Sequence, residues 1–289
     1  MSVRAGMAAA LRVPSRASSL RFRWFVVEAG WWVLSVGIVI GIWEITAALG
    51  LINTIILPPP HKFVAEIRDQ SQFLMPQPGV TAIPLHFAVF TAIGASLRRV
   101  LIGLLLGSLA AVLTGSLAFY LRLFRNLTFP TITMLAPIAP AAWIPLAILA
   151  FGMGDGAAIF VVFVGIYFTL TLATLNSMNN VDQVYVNTAR VLGASRRQIM
   201  WHVIFPAILP NLFVVLRMNF FAAWMGVLAA EMVGVRTGLG AVVVMGRQMM
   251  NMNLTFLGMA IIGLVGYLLD VGLGVLQKRV LWWRSAARV

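Results

Sequence analysis

Few residues of this 289-residue chain have the types and spacing that a catalytic site, a metal site or a phosphate-binding site requires. The chain contains no cysteine, which excludes disulfides, thiolate metal sites and a cysteine nucleophile. His61, His86 and His202 show no metal-ligand spacing, so we expect no metal site. The only lysines, Lys62 and Lys278, do not follow a G-x-x-x-x-G segment. We therefore expect no phosphate-binding P-loop, no catalytic residues and no cofactor bound by this chain.

The acidic residues are too scattered for acid–base catalysis. An intramembrane enzyme would need two convergent carboxylates or a Ser–His pair, whereas Glu44, Glu231 and Asp270 fall in different apolar runs. For Glu44 and Asp270 we expect structural pairing, and Lys278 or Arg279 is the expected partner of Asp270. Glu231 either lines an outer gate or bonds to the glycine-rich turn that follows it.

Three arginines lie within apolar runs or at their ends. A charge at membrane depth costs about 3 kcal/mol or more, so Arg217 must face protein or water. It either attracts an anion inside a pathway, or snorkels toward the nearby inner loop and pairs with it. Arg98 and Arg99 either raise the anion concentration at the mouth of a pathway or anchor to phosphates at the outer surface.

Residues 177–207 form a loop of about 30 residues that carries helix punctuation, and loops of this length are usually functional or disordered. Asp182 is typical of the cap of a first helix. The apolar stripe expected on this helix consists of Tyr185, Ala189 and Leu192. Gly193 predicts a left-handed stop at its end.

A second helix is predicted directly after that stop. Ser195 followed by Gln198 is a capping-box pattern, and Pro206 precedes the next apolar run. The apolar side expected on this second helix consists of Ile199, Met200 and Val203. The loop is therefore predicted to be a helix–turn–helix hairpin. An apolar side anchors it, and its arginines take no part in this anchoring. It is either a docking surface or a basic loop lying on lipid headgroups.

The composition indicates that these residues are held by membrane-spanning helices. Hydrophobic residues make up 61% of the chain and charged residues 10%, against about 25% charged in soluble domains. This composition predicts an all-α integral membrane protein. Six runs are long enough to cross a bilayer: 31–52, 93–119, 130–151, 157–176, 208–234 and 255–277. The net charge of +13 is attributed to cytoplasmic loops rather than to nucleic-acid binding, so we expect no nucleic-acid partner.

The distribution of Lys and Arg predicts the orientation. Most of them fall in segments that are cytoplasmic if the N-terminus is inside, so both termini are expected in the cytoplasm. The transmembrane domain is predicted over 31–284, between a basic N-terminal tail at 1–30 and a short C-terminal tail at 285–289. The outer loop 53–92 contains a mixed stretch, His61 to Gln72, that predicts a short surface helix.

The third run is interrupted by prolines. Broken helices in transporters often line the cavity, because their free carbonyls need water or protein. The predicted pathway residues are Pro140, Trp143, Pro145 and Met153, together with Arg217 and Glu231.

The 177–207 hairpin resembles a known signature. Permease subunits of bacterial binding-protein-dependent ABC importers carry Glu-Ala-Ala, three residues, Gly, nine residues, then Ile-x-Leu-Pro. The residues aligned with this signature are Asn187, Thr188, Ala189, Gly193, Val203, Phe205 and Pro206. Asn187 stands where the family has Glu, and Phe205 where it has Leu, whereas the Gly–Pro spacing is kept.

Four further stretches are similar to the nitrate, sulfonate and taurine branch of that family. They are ILPPP (56–60), SLRRVLIGLLLG (96–107), APIAPAAWIPLAILAFGMG (136–154) and AAEMVGVRTGLG (229–240). With the hairpin, the resemblance extends from about residue 31 to residue 284.

The resemblance implies a type I ABC importer permease fold with six transmembrane helices, located in the bacterial inner membrane. It implies a pathway between two copies of the chain, two ATPase subunits that bind ATP and Mg²⁺, and an extracytoplasmic binding protein that delivers a small anion. Sulfonate, taurine, nitrate, bicarbonate and related organic acids are the implied solutes. The residues implied in contacts with the ATPase are Asn187, Thr188, Ala189, Arg190, Gly193, Ala194, Ser195, Arg196 and Pro206.

A second class of function is a secondary transporter or channel that works alone. Such a protein would show two similar halves, discontinuous helices and paired charges within the membrane. The sequence shows no convincing internal repeat. The two classes differ in whether a soluble ATPase co-purifies with the chain.

Overall fold

The structure is a computed structural model that describes residues 16–65, 85–235 and 237–281. All regular secondary structure in these ranges is helical, which confirms the predicted all-α class. The long helices are α1 (Arg16–Ala48), α3 (Leu85–Tyr120), α6 (Asp155–Asn179), α9 (Phe205–Gly234) and α11 (Met252–Val280). The shorter ones are α2 (Pro60–Ala65), α4 (Arg122–Leu135), α5 (Ile144–Phe151), α7 (Gln183–Val191), α8 (Arg196–Ile199) and α10 (Leu239–Gln248). A 3₁₀ turn covers Pro140–Trp143 and a π-helical turn covers Met200–Ile204.

The chain divides into two compact units, and the first of them ends at Val64. Its helix α1 begins at Arg16, inside the segment predicted as a tail, and ends at Ala48, four residues before the predicted end of the first span. Glu44 pairs with His61 at the start of α2, and the rings of Trp43 and Phe63 lie 6.1 Å apart. Glu44 is thus structurally paired, as predicted. Of the expected surface helix, α2 is the part within the described residues, since residues 66–84 lie outside them.

The predicted count of six spans is not reproduced in the described residues. Four helices are long and apolar enough to cross a membrane: Phe90–Tyr120, Asp155–Asn179, Arg196–Gly234 and Met252–Val280. A fifth span would require α4 and the Pro140–Phe151 segment to act together, although they are bent by 103°. The proline-interrupted run predicted as one span over 130–151 therefore consists of two helical pieces. Helix α4 ends at Leu135 because Pro137 has no N–H to continue it, and Pro140 begins the following 3₁₀ turn.

Glycines allow α3 and α6 to pack with their backbones close together. A Cβ at Gly103 would lie 2.5 Å from Val162 Cβ, and one at Gly115 would lie 2.7 Å from Thr174 Cβ. Small residues at such positions are the usual means of helix association in membranes, where lipid removes the hydrophobic driving force. This packing fixes α3 and α6 as one layer against which α9 rests.

Helix α9 forms the centre of the second unit. Its buried side chains include Phe220, Ala223, Trp224 and Val227. A Cβ at Gly266 of α11 would lie 2.9 Å from Trp224 Nε1, so only glycine fits the indole there. Helix α9 thus contacts α6 on one side and α11 on another, and it connects the two ends of this unit.

Candidate functional site

The predicted caps of the 177–207 hairpin are present in the structure. The Asp182 side chain accepts a hydrogen bond from the N–H of Val184 at 2.9 Å, which caps α7. Gly193 has φ +80°, a left-handed conformation that favours glycine. Ser195 Oγ accepts from the Gln198 N–H at 3.3 Å, while the Ser195 N–H donates to Gln198 Oε1 at 2.8 Å. The caps and the turn of the hairpin are therefore formed by contacts between residues that are at most five positions apart.

The second helix of the hairpin continues into the membrane without a break. Helix α8, the π-helical turn and α9 together form a helix of 39 residues, Arg196–Gly234. In the π-helical turn the N–H of Phe205 donates to the carbonyl of Met200, five residues back. Pro206 follows directly. Any displacement of the hairpin is thus applied to the end of a transmembrane helix.

Only part of the apolar stripe predicted on α7 packs inward: Ala189 is half-buried against the core, whereas Tyr185 and Leu192 are exposed. Tyr185 is 63% exposed and Leu192 is 81% exposed, whereas Val186 is buried. Helix α7 is nine residues long and packs against α8 and the π-helical turn, so a single narrow face is covered. The second helix does use the predicted apolar side, because Ile199 and Met200 are buried. The hairpin therefore presents apolar side chains outward.

The predicted ATPase-contact residues lie together on this hairpin. Asn187, Thr188, Arg190, Gly193, Ser195 and Arg196 are exposed, and Ala189, Ala194 and Pro206 are half-buried. Arg190 Nη1 lies 3.4 Å from Asn187 Oδ1, so the residue that replaces the family Glu contacts a neighbouring arginine. A groove of about 1030 Å³ runs between α7 and the start of α9. The surface combines exposed apolar groups, a groove and positive charge.

A buried ionic cluster occupies the opposite end of α6 and α9, and we call it the Arg99 network. Its members are Ser96, Arg99, Asp155, Glu231 and Thr237, and the exposed Arg98 pairs with Asp155 at its edge. The side chains of Arg99 and Glu231 are 1% and 0% exposed. They are joined by a bond of 2.6 Å between Nη1 and Oε1.

Arg99 uses every donor of its guanidinium group. It donates from Nε and Nη2 to Asp155 Oδ1 at 2.8 and 2.6 Å. It also donates to the carbonyl and the hydroxyl of Thr237, at 2.7 and 2.6 Å. With the bond to Glu231, these contacts account for the five N–H groups of the side chain. Both outer-surface roles predicted for Arg99 are therefore wrong, because the side chain is buried within protein. Arg98 is exposed and pairs with Asp155.

Glu231 bonds to the glycine-rich turn, one of the two alternatives derived from the sequence. Its Oε2 accepts from the N–H of Gly240 and from Ser96 Oγ, each at 2.9 Å. Ser96 Oγ in turn accepts from the N–H of Leu239 at 2.9 Å. A Cβ at Gly238 would lie 2.4 Å from Glu231 Oε1. The turn is thus shaped to receive this carboxylate.

A second ion pair connects α9 to α11. Arg217 donates from Nε and Nη2 to the two oxygens of Asp270, at 2.7 and 2.6 Å. Asp270 therefore pairs with Arg217, not with the predicted Lys278 or Arg279, because the two side chains face each other across α9 and α11. The Arg217 side chain remains 45% exposed.

The bent segment places the other predicted pathway residues in different surroundings. Pro140 packs between α6 and α9, since a Cβ at Gly165 would lie 2.9 Å from its Cγ and one at Gly226 would lie 3.0 Å from its Cβ. The Trp143 ring lies 5.9 Å from Phe168, and its Nε1 is buried without a hydrogen-bond partner among the described residues. Pro145 and Met153 are exposed. The structure thus brings none of these four into the Arg99 network.

Sequence reasoning missed the Arg99 network as a unit. Its members come from α3, α6, α9 and the turn before α10, and Arg99 and Glu231 are 132 positions apart. The available signals were an arginine inside an apolar run and a TGLG turn shortly after a glutamate. No group of three or more His, Asp and Glu suited to a metal ion occurs among the described residues.

Comparison with known sequences gives consistent matches. The family described as "binding-protein-dependent transport system inner membrane component" matches residues 103–282. The taurine transport system permease protein TauC of Escherichia coli (strain K12) is 28% identical over 92% of this chain and 94% of its own length. The bicarbonate transport system permease protein CmpB of Synechocystis sp. is 31% identical over 83% of this chain and 84% of its own length. A putative ABC transporter permease of Methanocaldococcus jannaschii is 36% identical over 66% of this chain and 72% of its own length.

A solved structure shares the fold. The matching chain of the inward-facing MetNI methionine ABC transporter gives a TM-score of 0.58 at 17% identity, and the match covers 69% of this chain and 99% of that chain. These matches confirm the predicted resemblance to permease subunits of binding-protein-dependent ABC importers and to their nitrate, sulfonate and taurine branch. The chain belongs to the family of binding-protein-dependent transport system inner membrane components, and it is a multi-pass permease subunit of an ABC importer.

Proposed function

We propose that two copies of this chain form the pathway of an ATP-driven importer, and that a separate ATPase moves the pathway through the 177–207 hairpin. The observation that carries the proposal is the continuity of the helix Arg196–Gly234, which joins the exposed hairpin to the transmembrane core. A force on the hairpin would reach the far end of α9 because packed helices have discrete arrangements rather than a continuum.

The chemistry of the hairpin supports a protein partner. The arginines occur together with the exposed apolar side chains of Val184, Tyr185 and Leu192, beside a groove of about 1030 Å³. A protein groove can cover these apolar groups and pair with the arginines, which direct encounter and orientation more than affinity. We propose that each copy binds one ATPase subunit, which holds the ATP and Mg²⁺, with both termini of this chain on the same cytoplasmic side.

The proposed solute is a small anion delivered by an extracytoplasmic binding protein. The names of the relatives support this class, since they include taurine, aliphatic sulfonate and bicarbonate permeases. Pathway lining is proposed for Trp143, Pro145, Met153 and Arg217. Pro140 and Glu231 would act on the pathway through packing and through the Arg99 network, because their polar or ring atoms are occupied by protein contacts.

The test is co-purification and reconstitution. The chain is expressed with a candidate ATPase and a candidate binding protein from the same organism, and the complex is placed in lipid vesicles with ATP inside. We expect the ATPase to remain bound through purification and taurine, sulfonate or bicarbonate uptake to require ATP and the binding protein. Uptake by this chain alone would instead identify a stand-alone transporter or channel, the alternative that the family membership does not favour.

A further inference from the structure

The Arg99 network cannot serve as a binding site for the transported anion. The five hydrogen bonds of Arg99 leave no donor for a solute, and its side chain is 1% exposed. The charges of Arg98 and Arg99 are balanced by those of Asp155 and Glu231. All donors of this buried arginine bond to groups on α6, α9 and the turn before α10. Arg99 therefore holds these three elements to its own helix, α3, and its role is one of positioning.

The element it positions is the turn between α9 and α10. Thr237 is held through its carbonyl and hydroxyl by Arg99, and the N–H groups of Leu239 and Gly240 are held by Ser96 and Glu231. Gly238 has φ +112° and Gly240 leaves no room for a Cβ beside the Leu228 carbonyl. The turn therefore has its conformation fixed by the network, and the network ties it to α3 and α6.

The network and the 177–207 hairpin lie at opposite ends of the same helix. The helix Arg196–Gly234 has 39 residues, which corresponds to about 58 Å at the usual rise per residue. Its hairpin end contains the irregular π-helical turn, followed by Pro206, which has no N–H to donate, while its far end is cross-linked by the buried ion pair. Irregular backbone can bend, whereas a saturated buried network resists relative movement.

We infer that Arg99 is a positioning residue for transport: it fixes the far end of α9 and the turn Thr237–Gly240 to α3 and α6, so that this end moves as one body when the hairpin is displaced. The inference rests on the proposed function, because it requires an ATPase that moves the hairpin. Removal of Arg99 should leave ATPase docking intact and disconnect the far end from the ATP-driven movement.

The absence of cysteine allows this movement to be measured directly, since any introduced cysteine is the only thiol on the chain. Val233 is 66% exposed at the far end of α9, and Val191 is 87% exposed on the hairpin. Single variants V233C and V191C are purified in complex with the partner ATPase. Their reaction rates with a maleimide are then compared with and without ATP and Mg²⁺, and V191C is also compared with and without the ATPase.

Three backgrounds separate positioning from folding. R99M/E231Q removes both buried charges while the amide oxygen of the new side chain still accepts from Gly240. R99K keeps the charge but has three donors on one nitrogen, so it cannot span Asp155, Glu231 and Thr237 together. R98M removes the exposed arginine that shares Asp155 with Arg99 and serves as the matched control.

We expect ATP to change the V233C rate about fivefold or more in the unaltered and R98M backgrounds, and this response to be lost in R99M/E231Q and reduced in R99K. The slowing of the V191C reaction with maleimide by the bound ATPase should be the same in the unaltered background and in all three variant backgrounds. An undiminished V233C response in R99M/E231Q, or in R99K if the double variant does not assemble, overturns the inference. Lack of V191C protection in the unaltered chain would instead overturn the proposed function and, with it, the basis of the inference.

Discussion

At the scale of single residues, Gly193 determines the shape of the 177–207 hairpin. Its φ of +80° suits glycine and nothing lies within 4 Å of a Cβ built there, so substitutions act through backbone strain and not through crowding. A β-branched residue at positive φ costs about 1–3 kcal/mol. The hairpin is therefore sensitive at this position to the type of side chain and insensitive to its size.

Gly193→Val is expected to weaken ATPase binding by about tenfold or more, measured by titration of the purified ATPase. Gly193→Asn should bind nearly as well as the unaltered chain, because asparagine tolerates the left-handed region. Gly263→Val, at an open position with ordinary helical φ on α11, controls for an added side chain. Equal binding by the Gly193→Val and Gly193→Asn variants would contradict the role of the left-handed turn.

The contribution of the Arg217–Asp270 pair to stability can be separated from the proposed contribution of Arg217 to transport. Asp270→Leu leaves Arg217 without its bidentate partner and should lower the melting temperature in detergent. The expected loss is about 1–3 kcal/mol, because an unpaired charge then remains on a transmembrane helix although the Arg217 side chain is 45% exposed. Arg217→Met/Asp270→Leu should recover the melting temperature, since paired charges can be replaced by apolar groups.

The same double variant tests the proposed pathway role of Arg217. If the arginine meets the anion, uptake should stay at least about tenfold low although stability is restored. Normal uptake by the double variant would assign the pair to packing of α9 against α11 alone.

At the scale of elements, the contact between α3 and α6 depends on glycine. Gly103→Ala places a methyl group 2.5 Å from Val162 Cβ and should destabilise the protein by about 1–3 kcal/mol, read from detergent-induced unfolding. Gly94→Ala on the same helix meets nothing within 4 Å and should be neutral or slightly stabilising. Similar destabilisation by both substitutions would show that helix flexibility, and not close packing, explains the glycines.

At the scale of the whole molecule, the partner ATPase is expected to contact only the end that carries the 177–207 hairpin. Hydrogen exchange of the amides in α7 should slow by about tenfold or more when the ATPase binds, because this short exposed helix opens easily when free. Without ATP, exchange in the turn 237–240 should not change, since the turn is already held by the Arg99 network. Protection at both ends on docking alone would indicate a second contact surface.

Local features of the sequence determined the membrane class, the caps and the hairpin. Apolar runs of membrane-spanning length follow from composition, and the caps at Asp182, Gly193 and Ser195 act over a few residues. Such interactions depend only on spacing along the chain, so the sequence alone predicts them. The left-handed turn at Gly193, with Pro206 at the start of α9, has the same local origin.

Tertiary structure decided which distant side chains meet. Arg99 reaches Glu231, Ser96 reaches the same carboxylate across 135 positions, and Arg217 reaches Asp270 across 53. Their pairing depends on how α3, α6, α9 and α11 rotate about their own axes, and helix rotation is fixed by close packing at glycines. The 103° angle of the bend and the outward side chains of α7 were likewise set by packing partners, because the prolines specify a break in the helix but not its angle.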